Sequence, residues 1–209
     1  MDDLPALADA LAALPPSCGP VRLVAVDGHA GSGKSTFAGR LAAVLGGAPV
    51  LRLDDLASHD EPFGWLPRLT RQVTGPLAHG QEARYAPYDW SARRFTAPRS
   101  LPPAPVVLVE GVGAGRAGLR PLLAALLWMD RGAEDAWRRG RRRDGAGLAD
   151  FWDGWVRAEA GHFAADPSRP YADALVREVP EGYRVARVSG GALTTHRAGG
   201  PLTPPSHTP

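Results

Sequence analysis

Gly28-His29-Ala30-Gly31-Ser32-Gly33-Lys34-Ser35 is the stretch whose reading decides the fold. Its spacing is G-x-x-x-x-G-K-S, a glycine-rich loop whose backbone N–H groups can cradle phosphate oxygens. An apolar, β-branched run at 21–26 precedes it and reads as a buried strand. Apolar residues at helical spacing follow at 36–45, and Gly46-Gly47 stops that helix. Strand, glycine turn and helix N-terminus come in the order such a loop requires. The unpaired amides and the helix dipole then both face an anion. Gly28, Gly31 and Gly33 allow backbone angles and close approach that a Cβ would block. The expected phosphate contacts are Gly28, His29, Ala30, Gly31, Ser32, Gly33, Lys34, Ser35 and Thr36, with His29 at a variable position and given no role of its own. Lys34 is placed to reach the terminal phosphates and the Ser35 hydroxyl to take a magnesium ion. Lys34 is also the one lysine in a chain that otherwise uses arginine, so a compact ammonium has been kept here alone.

The rest of the composition narrows the class. At 209 residues, with 44% hydrophobic and 22% charged residues, the chain reads as one soluble globular domain over 1–189. A proline-rich tail at 190–209 is expected to be disordered. A net charge of +2 gives no global basic field for nucleic acid, and no specific nucleic-acid partner is expected. No apolar run reaches about 18 residues, so no membrane span is expected. The N-terminal residues lack the basic region of a signal peptide. The lone Cys18 cannot form an internal disulfide, which fits a reducing cytoplasm.

Taken in order, the pattern predicts a helix at 4–14 and a strand at 50–53 that ends in Asp54-Asp55. A helix at 65–79 has Leu66, Leu69, Val73 and Leu77 on one face and a break near Gly75-Pro76. Residues 98–105 read as a loop. A strand at 106–109 ends in Glu110, a helix occupies 119–125, and a strand at 126–129 ends in Asp130. A strongly basic helix at 133–143, a helix at 148–165 and strands at 174–179 and 183–188 complete the chain. Alternating strands and helices give an α/β fold with a parallel sheet, whose ligands gather at the carboxyl ends of the strands. The P-loop, Asp54-Asp55, Glu110 and Asp130 all stand at such ends.

These residues suit phosphoryl transfer, which needs a phosphate cradle, a metal, positive charge and a positioned acceptor. Glu110 could hold magnesium together with Ser35; an ordinary acidic strand end is the alternative. Asp54 could orient and deprotonate an acceptor hydroxyl, whereas a phosphate acceptor would need arginines instead. Asp55 could be the working group instead, and a capping or turn aspartate is the other reading. Arg138, Arg139, Arg141, Arg142 and Arg143 could close over a triphosphate, with Arg139 on the nucleotide and Arg142 and Arg143 on the moving group. Gly140 and Gly145-Ala146-Gly147 would let that segment move; a solvated basic face is an equal alternative. Tyr85, Tyr88, Asp89 and Trp90 could form an acceptor pocket, with Arg93 beside it. Phe151, Trp152, Trp155 and Phe163 fall at helical spacing and are expected in the core. His59, His79 and His162 show no ligand spacing and read as surface or capping residues.

In order, G-H-A-G-S-G-K-S-T, L-R-L-D-D, Y-D-W, V-V-L-V-E-G, R-R-R-D-G and Y-A-D-A-L-V resemble the uridine kinase-like P-loop kinases, a group that includes uridine–cytidine kinases and phosphoribulokinases. The resemblance spans about residues 21–188. It implies a three-layer P-loop kinase fold with a five-stranded parallel core and a helical, arginine-rich lid at about 138–147. It also implies Asp54 as the catalytic base, Ser35 and Glu110 as the magnesium site, and Tyr88-Asp89 on the acceptor. Two departures stand out. Asp54 is followed by Asp55-Leu56-Ala57 rather than an aromatic pair, and Trp90-Ser91-Ala92-Arg93-Arg94 replaces the stretch that carries a pyrimidine-contacting histidine. The expected function is ATP- and magnesium-dependent transfer to a hydroxyl of a small nucleoside- or sugar-like metabolite. The alternatives are a nucleoside monophosphate-type kinase relying on Arg93 or Arg94, and a non-catalytic ATP-binding protein. An N-K-x-D guanine motif is absent, since Lys34 is the one lysine.

Overall fold

The apolar run before the P-loop is strand β1 (Arg22–Asp27), and it lies inside a six-stranded sheet. The computed structural model describes residues 3–187. Along the chain come α1 (Leu4–Ala12), β1, α2 (Lys34–Val44), β2 (Val50–Arg52) and a 3-10 turn at Leu53–Asp55. Next are α3 (Leu66–Leu69), a π-helical turn at Thr70–Thr74 and α4 (Gly75–Ala78). Four short strands follow: β3 (Ala83–Tyr85), β4 (Tyr88–Asp89), β5 (Arg94–Phe95) and β6 (Arg99–Leu101). The chain then runs through β7 (Val106–Glu110), β8 (Leu123–Met129), α5 (Ala133–Asp144), α6 (Ala149–Ala165), β9 (Ala174–Val179) and β10 (Gly182–Arg187).

The sheet order is β10-β9-β8-β1-β7-β2. All neighbours pair in parallel except β9 and β10, so the described residues contain the expected five parallel strands plus one antiparallel edge. Strand alternation builds a core on each face. Val24 and Val26 point towards α1 and α2, packing with Leu11, Phe37 and Leu41. Leu23 and Ala25 point the other way, to Trp65, Leu69, Val73 and Leu77. Helices on both faces explain why the central strands are apolar throughout rather than alternating. Each buried Leu or Phe there contributes roughly 1.5–3 kcal/mol. Among the described residues no helix is long and apolar enough to cross a membrane.

Three local expectations are corrected. The helix expected at 119–125 is a 3-10 turn (Arg120–Leu122) leading into a strand that starts at Leu123. Leucine and alanine favour helix in isolation, but this run is buried throughout and hydrogen-bonds to β1 and β9. Within the loop expected at 98–105, β6 pairs with β3, Leu101 opposite Ala83. In the segment expected to break at Gly75-Pro76, the irregularity comes one turn earlier. Pro76 has no N–H and would crowd the carbonyl four residues back, and the π-turn, in which the Gly75 N–H donates to the Thr70 carbonyl, absorbs that conflict. Cys18 is buried, and burial raises its thiol pKa. Val188 and the tail at 190–209 lie outside the described residues.

Candidate active site

The loop joins β1 to α2 as its spacing requires. Gly33 is the N-cap of α2 at φ 104° with no side-chain cap, so the first-turn amides of the helix stay open. Lys34 is buried, and its Nζ donates to the carbonyl oxygens of Gly28 and His29, each at 2.9 Å. The Ser32 hydroxyl is buried with no hydrogen-bond partner. Beneath the loop, Asp27 is fully buried at the end of β1. Its Oδ1 accepts from the Gly28 amide (2.6 Å) and the Gly113 amide (2.9 Å), and its Oδ2 from the Gly115 amide (2.8 Å). One carboxylate thus pins the start of the P-loop to the turn after β7. Burial pushes the Asp27 pKa up, against the pull of its donors and of Lys34.

In front of the loop is a cleft of about 250 Å³. Lys34, Ser35, Asp54 and Glu110 line it, as do the rings of Trp90, Phe151, Trp152 and Trp155, and Arg143 and Asp144 complete the wall. A second hollow of about 260 Å³ is lined by Gly31, Gly33, Lys34, Ser35, Thr36, Arg139, Gly140 and Arg143. The two share Gly31, Lys34, Ser35 and Arg143. A groove of about 320 Å³ shares Trp90, Phe151 and Trp155 with the cleft and adds Ser58, His59, Pro62, Asp150, Gly154 and Ala158, with no lysine or arginine in its lining.

Glu110 is buried, and burial raises its pKa; Lys34 pulls it down, Asp54 pushes it up, and a hydrogen bond from Ser35 pulls it down. Arg52 Nε lies 3.8 Å from its carboxylate. Asp54 keeps contact with solvent but is crowded by the cleft walls, and that desolvation raises its pKa, opposed first by Lys34. The two aspartates divide cleanly. Asp54 lines the cleft, and its backbone carbonyl accepts the Trp90 indole N–H at 3.1 Å. Asp55 accepts the Tyr85 hydroxyl at 3.3 Å and does not line the cleft.

The expected acceptor residues fare unevenly. Trp90 lines the cleft. Tyr88 sits behind it, its hydroxyl 3.0 Å from His59 Nδ1 and its ring against Trp90 and Phe95. Asp89 Oδ1 accepts the Ser91 and Ala92 amides and so shapes the turn between β4 and β5. Arg93 is exposed in that turn at φ 53° and does not line the cleft. The local turn needs an Asp side chain and a left-handed residue, which accounts for both.

The arginine cluster also divides. Arg143 lines both hollows and holds Asp144 with two hydrogen bonds, at 2.6 and 2.9 Å. Arg139 reaches the Ser32 carbonyl at 3.4 Å and Glu178 at 3.0 Å. Arg142 is exposed and lines neither hollow, while Arg138 pairs with Asp135 and Arg141 with Asp153. Gly140, expected as a hinge, is a contact point: a Cβ there would overlap the Trp152 ring. Asp130 stands away from the cleft and is paired with Arg177 and Arg169, chiefly the hydrogen bond from Arg177 lowering its pKa.

The aromatic residues expected in the core are split. Phe163 packs against it and Trp152 is buried, but Phe151 is exposed, and Phe151, Trp152 and Trp155 all face the cleft. His79 caps α4 through the Gly75 carbonyl. His59 and His162 instead join aromatic clusters, His162 stacked flat on Phe63. His29, given no role from sequence, bonds to Glu159, which is fully buried in α6. Neither Glu159 nor Asp27 carries a sequence signal beyond its being an acid among apolar neighbours.

No protein-family model and no curated protein matches the chain. Among solved structures, that of a possible uridine kinase from Bacillus stearothermophilus superposes with a TM-score of 0.58 at 18% identity, covering 82% of this chain and 96% of that one. A candidate fructose transport system kinase from Silicibacter sp. TM1040 gives 0.53 at 23% identity over 81% and 94%. At these identities the likeness is one of backbone architecture. The chain has the fold of the uridine kinase-like P-loop kinases.

Proposed function

We propose that this chain is an ATP- and magnesium-dependent kinase that moves the γ-phosphoryl group onto a hydroxyl of a small molecule whose body is a flat ring without negative charge. The observation that carries this reading is one cleft that brings Asp54 together with Lys34, Ser35 and Glu110 on the side of the P-loop and faces them with Trp90, Phe151 and Trp155. The loop fits a bound triphosphate: the α2 amides are open and Ser32 Oγ is buried with no partner. Ser35 and Glu110 offer the hard oxygen donors that would hold magnesium, which supplies charge neutralisation on the phosphate oxygens.

The remaining roles belong to the chain's own groups. Lys34 and the loop amides bind the β- and γ-phosphates. Arg143, shared by both hollows, stabilises charge between them, and Arg139 flanks the nucleotide side. Asp54 orients the acceptor hydroxyl and takes its proton as the oxygen becomes a phosphate ester. Its raised pKa suits a base. The indole and phenyl faces stack on the acceptor ring. A phosphate acceptor is disfavoured, because Arg93 and Arg94 are exposed outside the cleft and the cleft's one arginine, Arg143, is assigned to the transferred group.

The test is ADP release by the full chain with magnesium and ATP, across nucleosides, sugars and vitamins. Ring-bearing alcohols should stimulate it, and Asp54→Asn should abolish that stimulation while ATP still binds by calorimetry. If neither heat with ATP nor stimulated release is seen, the reading falls.

A further inference from the structure

Glu159 makes four hydrogen bonds from a side chain with no solvent exposure. Its Oε1 meets His29 Nδ1 at 2.8 Å and accepts the Trp137 indole N–H at 2.9 Å. Its Oε2 accepts the Ala30 amide at 3.1 Å and the Trp155 indole N–H at 2.8 Å. A carboxylate has about four lone-pair sites, so all are in use. The four donors come from three places. His29 and Ala30 are consecutive residues of the P-loop, Trp137 is in α5, and Trp155 is on α6 with its ring in the cleft wall. A buried carboxylate satisfied in this way is rigid, because each donor it lost would be left unpaired in a dry site.

We propose that Glu159 is a positioning residue that couples the aromatic wall of the cleft to the shape of the phosphate loop. This rests on the kinase reading above. Trp155 has two functions on two edges: its ring faces the space where the acceptor would stack, and its N–H ends on the oxygen that also holds Ala30. A ring pressed against Trp155 is therefore two hydrogen bonds from the backbone of the loop. The coupling is reciprocal, so a nucleotide that reshapes the loop must also alter the setting of Trp155. Glutamine replaces the carboxylate poorly: on the Oε2 side its amide nitrogen would face the Ala30 and Trp155 N–H groups with another donor, and on the Oε1 side it would face the Trp137 indole N–H in the same way.

The experiment uses the full chain, 5-fluorotryptophan labelling and the non-hydrolysable analogue AMP-PNP with magnesium. Trp155→Phe keeps most of the ring packing and removes the one N–H. It should weaken AMP-PNP binding in calorimetry about fivefold or more, although Trp155 lies on the acceptor side. In the wild-type chain the fluorine resonance of Trp155, assigned by its loss in Trp155→Phe, should shift on AMP-PNP addition, while that of Trp65 in the core stays still. In Glu159→Gln that shift should vanish. An unchanged AMP-PNP affinity in Trp155→Phe, or a Trp155 shift that persists in Glu159→Gln, overturns the proposal and leaves the kinase reading standing. No heat from AMP-PNP in the wild-type chain removes that reading, and the coupling with it. Should Glu159→Gln fail to fold, the Trp155→Phe affinity decides alone.

Discussion

Gly31 of the P-loop lies so close to Ala136 of α5 that a methyl group on it would overlap the Ala136 carbonyl oxygen and approach the Gly140 amide nitrogen to 2.9 Å. The loop and the arginine helix therefore touch backbone to backbone. Gly31 also holds φ at 83°, a value that side chains other than glycine rarely adopt. Gly31→Ala should displace α5, cost about 1–3 kcal/mol of stability, and weaken ATP binding at least about tenfold. Urea denaturation and calorimetry check the two effects separately. Unaltered ATP affinity would mean that the loop does not need α5 so near.

Asp54 should set the acid limb of the activity profile. Crowding by the cleft walls desolvates its carboxylate and raises its pKa above the ordinary value of 3.8, with Lys34 opposing. A base works only when ionised, so activity should be lost as the pH falls through that raised pKa, earlier than for an aspartate of ordinary pKa. Asp54→Asn should remove the limb and lower kcat by about 10²–10⁴-fold. A pH–kcat/KM profile of both chains is the measurement, and an acid limb that survives the substitution would assign it to another group.

For Glu110 the expectation runs in two directions at once. Its carboxyl, raised by burial, binds its proton more tightly in the folded chain than in the unfolded one. Ionising it therefore costs stability as the pH rises from the ordinary value of 4.5 towards and through the folded pKa. Glu110→Gln should raise the Tm at pH 7 and lose that advantage at pH 4 and below. The same substitution should raise the magnesium concentration needed for half-maximal activity about tenfold or more. A fall in Tm at neutral pH would show that the ion pair with Arg52, at 3.8 Å, outweighs desolvation.

Phe151 gives a test that tells acceptor binding from nucleotide binding. It is exposed, stacks at 24° on Trp155 and meets Trp90 edge-on. Phe151→Ala should raise KM for the acceptor found in the ADP-release screen about tenfold, and leave ATP affinity within about twofold. Steady-state kinetics and calorimetry would show it, and an unchanged acceptor KM would place the acceptor elsewhere.

Much of this site was legible because its signals are local. The P-loop declares itself through eight adjacent residues, and Asp54 and Glu110 each end a short apolar run. What could not be read depends on distance along the chain. Glu159 stands 130 positions from His29, and no spacing rule links an acid in one helix to a loop so far away. Phe151 and Trp155 show the limit of periodicity: a helical repeat identifies a face, but not whether that face meets a core or a cleft. Asp89 shows the converse. Its Tyr-Asp pairing suggests a ligand contact and says nothing of the turn that follows, whose Ser91 and Ala92 amides donate to its Oδ1. The strand at Leu123–Met129 was half hidden, since leucine and alanine suit a helix until neighbouring strands supply partners.

That Lys34 is the one lysine has a practical side. Feeding the expression host lysine enriched in ¹⁵N at the side-chain nitrogen would produce a spectrum with a single ammonium signal. That signal comes from the group now resting between the Gly28 and His29 carbonyls. An acyl group on a lysine side chain in this chain can likewise sit only on Lys34, so under the proposed reading loss of ATP binding should follow the modification of that one side chain.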